Sequence, residues 1–402
     1  MKRYLKNFDL NEEFIEKAIC LCLDPTPKRK NRWVRRDTSQ LIAEYLVKEG
    51  KCSLEKRKAL ANDIFALAQI DYFEVRKFSK LLAKHLYMEI KNREIELKPI
   101  RNVVRYDHTC GKKRVIGIAS MKQQCLDWVV SEALDEFFND KIHPCQESGI
   151  RTHGPLHAAK RISRWIQKEP KKMKYCVQGD IQKFYPSIDH DILKGIFEKY
   201  IINEDILYLI NLLIDSYGER GISIGSYLAL RMANAMMGLA LYWLDERNFY
   251  YDKRGRRKGK RYTRLIVYTD NISIFGANKT QVKKAMQDLA EHLCANYKLT
   301  IKSPWIFRNL EKDKFFDVAG FKIYSDHITI RKRSFKRIRN EAMRNKKEFN
   351  TADARSIASR WGQLKWTNSY IFCRKYKYFS LLTKAKRTIR NEAKDIVYLD
   401  QE

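Results

Sequence analysis

No run of apolar residues in this 402-residue chain approaches the ~20 needed to cross a bilayer. The opening Met1-Lys2-Arg3-Tyr4-Leu5-Lys6 lacks the apolar core of a secretion signal. Both absences point to a cytoplasmic protein without a membrane partner. The nine cysteines are scattered: Cys20 and Cys22 are too close for the usual metal pair, and no second pair follows. Free thiols in a reducing compartment are expected. Acidic residues are scarce, with 48 Asp and Glu against 80 Lys and Arg. The resulting net charge of +32 excludes an acidic solvating chain and points to a large polyanion as partner. There is no internal repeat and no low-complexity linker.

What is present is a foldable chain. Hydrophobic residues make up 44% and aromatics 12%, too much for a disordered one, and the length allows two or three domains. Residues 1–95 carry apolar positions at helical spacing (Leu41 to Val47, Leu60 to Leu86) with little Gly or Pro, which predicts a helical scaffold without chemistry of its own. From Lys98 the texture alternates. Pro99 to Tyr106 and Arg114 to Ala119 predict a hairpin with basic residues at its tip, turning at Cys110-Gly111-Lys112-Lys113, and residues 121–138 predict a helix.

Tyr175 to Asp180 reads as a strand, broken at Pro186, with Asp189 as the N-cap of the next helix. Gly221 to Ser226 is a glycine-punctuated loop before an apolar helix over 228–244. Residues 252–264 read as a basic loop, 279–297 as an amphipathic helix, and Leu299 to Lys302 and Phe316 to Tyr324 as strands. From Arg331 the chain is helical and densely basic. Its Trp361 and Trp366 are expected to pack rather than to stack on bases.

The most informative stretch is Val267-Tyr-Thr-Asp-Asn-Ile-Ser-Ile-Phe-Gly276. β-branched runs flank a polar tip, which predicts a hairpin holding Asp270 at the end of a buried strand. A carboxylate there needs a partner or a metal. Asp180 is its counterpart, also at the end of an apolar strand. Paired carboxylates at neighbouring strand ends suit divalent cations and phosphoryl transfer, where positioning and charge neutralisation do the chemistry.

In block order, residues ~98–325 resemble the fingers and palm of a bacterial reverse transcriptase. The resemblance implies an α+β right-hand polymerase. It would comprise a helical N-terminal extension (1–95), fingers (96–175), a palm with an antiparallel sheet flanked by helices (176–330) and a basic helical thumb (331–402). It also implies RNA-directed DNA synthesis with two Mg²⁺, Mn²⁺ being the alternative. The substrates would be dNTPs, the template an RNA or structured non-coding RNA, and the product DNA. A protein partner or a second copy is left open.

Asp180-Ile-Gln-Lys-Phe-Tyr185 resembles the first metal-binding block and Tyr268-Thr-Asp270-Asn271 the catalytic hairpin. The implied metal set is therefore Asp180, Ile181, Asp270 and Asn271. Tyr185 falls on the family's aromatic gate against ribonucleotides, beside Gln182, Lys183 and Phe184. Ile224 and Gly225 fall in the glycine block under the incoming nucleotide. Lys112, Lys113 and Arg114 fall where the fingers contact the triphosphate. Lys302 falls where a lysine sits near the departing pyrophosphate, a general acid. Gly320 and Phe321 fall in the primer-gripping hairpin. Tyr268, Arg331, Lys332, Arg333, Lys336 and Arg337 are the expected nucleic-acid contacts.

Three departures stand out: Asn271 in place of a second Asp, Ile224 before Gly225, and Ala229-Leu230 closing the glycine block. No endonuclease, maturase or retron signature is apparent, which leaves a stand-alone enzyme of the phage-defence or diversity-generating kind, bacterial or phage-encoded. A silent polymerase-shaped RNA-binding scaffold and a template-independent polymerase are the alternative readings.

Overall fold

The computed structural model describes residues 2–26, 29–107, 111–344 and 350–399. The chain is α+β and divides into two units, each assembled from separate stretches of sequence.

The first unit takes in residues 1–143, 182–243 and 291–300. Its N-terminal part is helical, as the apolar spacing predicts: Glu12–Leu23, Arg36–Lys48, Arg57–Ile70, Tyr72–Arg76 and Ser79–Lys91. Asn11 and Asp71 cap two of these helices by accepting the backbone N–H of Phe14 and Phe73. Strands β1 (Arg101–Asp107) and β2 (Lys112–Ile118) then pair antiparallel, Arg101 opposite Ile118. The expected helix over 121–138 is two, Met121–Ala133 and Asp135–Lys141. Asp189 caps His190–Tyr200 as expected. Pro186 does not break the chain outright: it lies inside the short helix Phe184–Ser187, whose first-turn N–H groups need no partner.

The second unit takes in residues 144–181, 244–290 and 301–402. Its sheet contains β3 (Tyr175–Asp180), while β4 (Phe249–Tyr251) and β5 (Arg257–Lys260) form a separate ribbon. That ribbon corrects the expected loop over 252–264. Asp252 accepts the N–H of Arg254 and Arg256 around Gly255 and pairs with the Arg256 side chain, while the Arg257 guanidinium lies over the Phe249 ring. Next come β6 (Arg264–Tyr268) and β7 (Asn271–Gly276), then β8 (Ile306–Asn309). The sheet order is β6-β7-β3-β8, all neighbours antiparallel. The expected strand at Leu299 to Lys302 reduces to a single bridge, Ile181 to Ile301. Pro304 follows without an N–H to donate, and the chain rejoins the sheet only at β8.

A three-stranded sheet follows, from β9 (Phe316–Val318), β10 (Phe321–Ile323) and β11 (Ile328–Ile330). Ala319 and Gly320 both take positive φ in its two-residue β9–β10 turn, which suits the sheet twist. Helix Pro155–Lys168 buries Ala158, Ala159 and Ile162 in a core with Cys176, Phe275 and Phe316. The C-terminal helices Lys332–Arg344, Thr351–Leu364, Tyr370–Lys375 and Tyr378–Leu399 add Ile338, Ile357 and Tyr378 to that core. Trp361 packs against it, as expected. Trp366 does not: it is half exposed, beyond the end of its helix, with the Lys160 ammonium 3.4 Å from its ring centroid. Among the described residues no helix is long and apolar enough to cross a membrane.

Candidate active site

Strands β6 and β7 are buried on both faces (Leu265, Ile266, Val267; Ile272, Ser273, Ile274, Phe275), which explains their unbroken apolar runs. Tyr268 pairs with Asn271, so the connection is only Thr269 and Asp270. Asp270 therefore sits in the turn itself and not at a strand end: Tyr268 and Asn271 use up the ladder. Thr269 takes φ +58°, a left-handed conformation that is costly for a β-branched residue.

The central strand brings the second carboxylate alongside. Asp180 is in register with Asn271, and the Ile181 N–H donates to the Asp270 carbonyl at 2.9 Å. The Ile181 side chain is fully buried, so only its backbone can serve a ligand. Lys302 closes the group. Its N–H donates to the Asp180 carbonyl at 2.8 Å, and its Nζ donates to Asp180 Oδ1, also at 2.8 Å. The hydrogen bond to Asp180, then the charges of Asp180 and Asp270, raise the Lys302 pKa above its ordinary value. Asn271 Nδ2 donates to Asp270 Oδ1 at 2.9 Å. Four of the expected catalytic and metal-site side chains thus converge, from three stretches of the second unit.

The other expected residues of the second unit are less uniform. Tyr268 is half-buried, and burial, then the nearby charge of Glu147, raises its hydroxyl pKa. Gly320 lies in the β9–β10 turn, whereas Phe321 is a core residue, 4% exposed, and presents only backbone outward. Arg331 donates from both Nε and Nη2 to Asp317 Oδ1, at 2.8 and 2.7 Å, so its charge is already engaged. Lys332, Arg333 and Lys336 are exposed on the basic helix, and Arg337 is half-buried.

In the first unit, Gln182 and Lys183 are exposed, Phe184 is buried and Tyr185 is half-buried. The Tyr185 carbonyl accepts the Ile222 N–H at 3.0 Å, which ties the expected gate to the glycine block. Ile224 is exposed. Gly225 lies so close to β2 that a Cβ would run into the Gly117 carbonyl, and only glycine fits. Lys113 and Arg114 are exposed on β2; the Lys112 side chain lies outside the described residues, as does Cys110.

An acidic pair, one at the end of β3 and the other in the strained β6–β7 turn, with a lysine on the first carboxylate, is compatible with nucleotidyl transfer. Residues 95–304, just over half of the chain, match the family described as Reverse transcriptase (RNA-dependent DNA polymerase). The chain belongs to the reverse transcriptase family. No curated protein matches it. The reverse transcriptase domain spans β1 to the Ser303-Pro304 bond, so it contains every member of the Asp180–Asp270–Asn271–Lys302 group.

One cluster in this reverse transcriptase escaped sequence reasoning. Glu147, fully buried, receives His157 Nδ1 at 2.6 Å and Arg161 Nη1 at 2.7 Å, with His153 Nδ1 at 3.8 Å. The His-x₃-His spacing at 153 and 157 was its only signal in the sequence.

Proposed function

We propose that this reverse transcriptase copies RNA into DNA by adding dNTPs to a primer 3′ end, with two Mg²⁺ held by Asp180 and Asp270. The carrying observation is the register of β3 on β7, which sets Asp180 opposite Asn271, next to the Thr269-Asp270 turn. The donor set fits hard cations: two carboxylates, an amide oxygen at Asn271 and the Ile181 carbonyl, all oxygen. Asn271 must turn its amide to offer that oxygen, and Lys302 must share Asp180. When bound, the metal ions would lower the pKa of the 3′-hydroxyl and neutralise charge at the reacting phosphate.

The chain's own residues do the rest. The 3′-oxygen attacks the α-phosphorus, the bond to pyrophosphate breaks, and the 3′-hydroxyl proton passes to water. Lys302, kept protonated by its two carboxylate neighbours, gives a proton to the departing pyrophosphate. The Tyr185 ring excludes a 2′-hydroxyl, and the glycine block leaves room for the nucleotide. Lys113 and Arg114 hold the triphosphate, and the exposed Lys332, Arg333 and Lys336 follow the duplex backbone. We assign residues 96–175 to fingers, 176–330 to palm and 331–402 to thumb. The net charge of +32 supports a structured RNA as standing partner.

The test is primer extension on an RNA template with Mg²⁺, for this chain, Asn271→Asp and Asp180→Ala. Synthesis by Asn271→Asp that ends with Asp180→Ala supports the reading. No synthesis from any of them favours the second reading, a silent RNA-binding scaffold. That alternative draws on the internal pairing of the site, where Asn271 and Lys302 already occupy both carboxylates.

A further inference from the structure

The Glu147 cluster lies apart from the catalytic carboxylates in chemistry: it offers nitrogen where they offer only oxygen. Among the described residues, Glu147, His153 and His157 are the group whose ligand atoms come within 4.8 Å of one another. We propose that they form a binding site for a divalent transition metal of the zinc type, separate from the Mg²⁺ pair.

The two carboxylate oxygens of Glu147 are divided. Arg161 Nη1 holds Oε1, and also reaches the Pro144 carbonyl at 2.8 Å. Oε2 faces the histidines. Arg161 thus orients the carboxylate from behind, as outer hydrogen bonds do for metal-binding carboxylates. His153 Nδ1 lies 3.0 Å from the Gln146 carbonyl, and a donor there fixes the tautomer that leaves Nε2 with its lone pair. The rings are stacked at 4.3 Å, and their side chains are 23% and 39% exposed, so an ion can reach the cluster from the histidine side. Glu147 itself is fully buried, where a metal would replace a charge-assisted hydrogen bond with a stronger partner. Imidazole nitrogen selects zinc-type ions over Mg²⁺. Three protein ligands leave one position for water.

The site has a mechanical consequence. The Val267 N–H donates to Cys145, and the Glu147 N–H to Val267, each at 2.9 Å, so residues 145–147 run beside β6 and the Tyr268 hairpin. Metal on Glu147 and His157 would fasten that edge to the first turn of helix Pro155–Lys168.

The experiment reads metal and not synthesis, so it stands or falls independently of the polymerase reading. The full chain is stripped with chelator and dialysed against Zn²⁺ with millimolar Mg²⁺ present. Zinc per chain is then measured for the unmodified chain, His153→Gln and His157→Gln. Each variant is expected to hold one zinc fewer, and to lose the zinc-dependent rise in melting temperature. Equal zinc content in all three overturns the proposal. A measurement on the unmodified chain guards against misfolded variants: the first equivalent of Co²⁺ should show nitrogen and oxygen ligation. Thiolate-to-cobalt charge transfer at that equivalent puts the metal on cysteine and also overturns it.

Discussion

Asn271 donates its amide hydrogen to Asp270 Oδ1 at 2.9 Å, while its own backbone is paired with Asp180. The residue that departs from the family's hairpin therefore binds the Asp270 carboxylate and lies in register with Asp180. Beside a second aspartate the same contact would be a repulsion that only a cation relieves. Asn271 pairs the hairpin internally and, in the proposed metal site, would remove one negative charge from the field that holds the ions.

Replacing Asn271 with Asp should raise the rate of primer extension by roughly tenfold or more, ~1.4 kcal/mol of barrier per decade. It should also lower the Mg²⁺ concentration needed for half-maximal rate. Without metal the same variant should melt at a lower temperature than the parent, and Mg²⁺ should restore it. A metal-free melting temperature above the parent's would contradict the repulsion argument.

Lys302 gives a pH expectation. Its folded-state pKa is raised, so its pairing with Asp180 is fully present below the unfolded value of ~10.4 and is lost as pH rises through the folded one. The lysine is about half exposed, so solvent screening leaves the pair little weight in stability. Lys302→Met should hold its melting temperature near the parent's at pH 7 to 9 while single-turnover extension slows. A loss of melting temperature as large as the loss of rate would make Lys302 a structural residue.

Asp127, buried in helix Met121–Ala133, also loses stability as pH rises, in a lower window. Burial raises its pKa to about 7, despite a hydrogen bond from Ser226 Oγ at 2.8 Å, and its Oδ1 has no partner. The folded chain then binds a proton that the unfolded chain releases near pH 4. Stability from this group falls between about pH 4 and 7, by on the order of 4 kcal/mol. Asp127→Asn should flatten that fall and gain stability at pH 8. Parallel curves of stability against pH for the two proteins would show that Asp127 is not the group responsible.

Two glycines should answer in opposite directions. Gly225→Ala drives a Cβ into the Gly117 carbonyl and should cost ~1–3 kcal/mol, read in chemical denaturation. Gly362, inside helix Thr351–Leu364, has nothing within 4 Å of an added Cβ, and Gly362→Ala should gain up to ~1 kcal/mol. Equal effects would mean that the close approach of the glycine block to β2 does not constrain the fold.

Much of the second unit was legible before the structure. The apolar runs around Tyr268 to Asn271 announced two strands because both their faces are buried, and in the first unit Asp189 announced its helix by capping it. Where composition stood in for pairing, the reading failed. Arg257 to Lys260 looked like a loop because it is basic, yet its backbone pairs with β4 whatever its side chains do in water. Leu299 to Lys302 looked like a strand, but Pro304 interrupts the ladder.

By itself the sequence determined the order of the blocks, the two strands of the Tyr268–Asn271 hairpin and the residue types at its tip. These follow from local periodicity, capping and turn chemistry, which neighbours along the chain carry. The tertiary structure decided the partners: Lys302 on Asp180, Asn271 on Asp270, Arg161 and the histidines on Glu147. Those pairs lie 122, 1 and 14 positions apart, and His157 lies 10 from Glu147. Sequence distance does not order them. Sheet register does for Asp180, and the demand of a buried carboxylate for a partner does for Glu147; both exist only once the chain has folded.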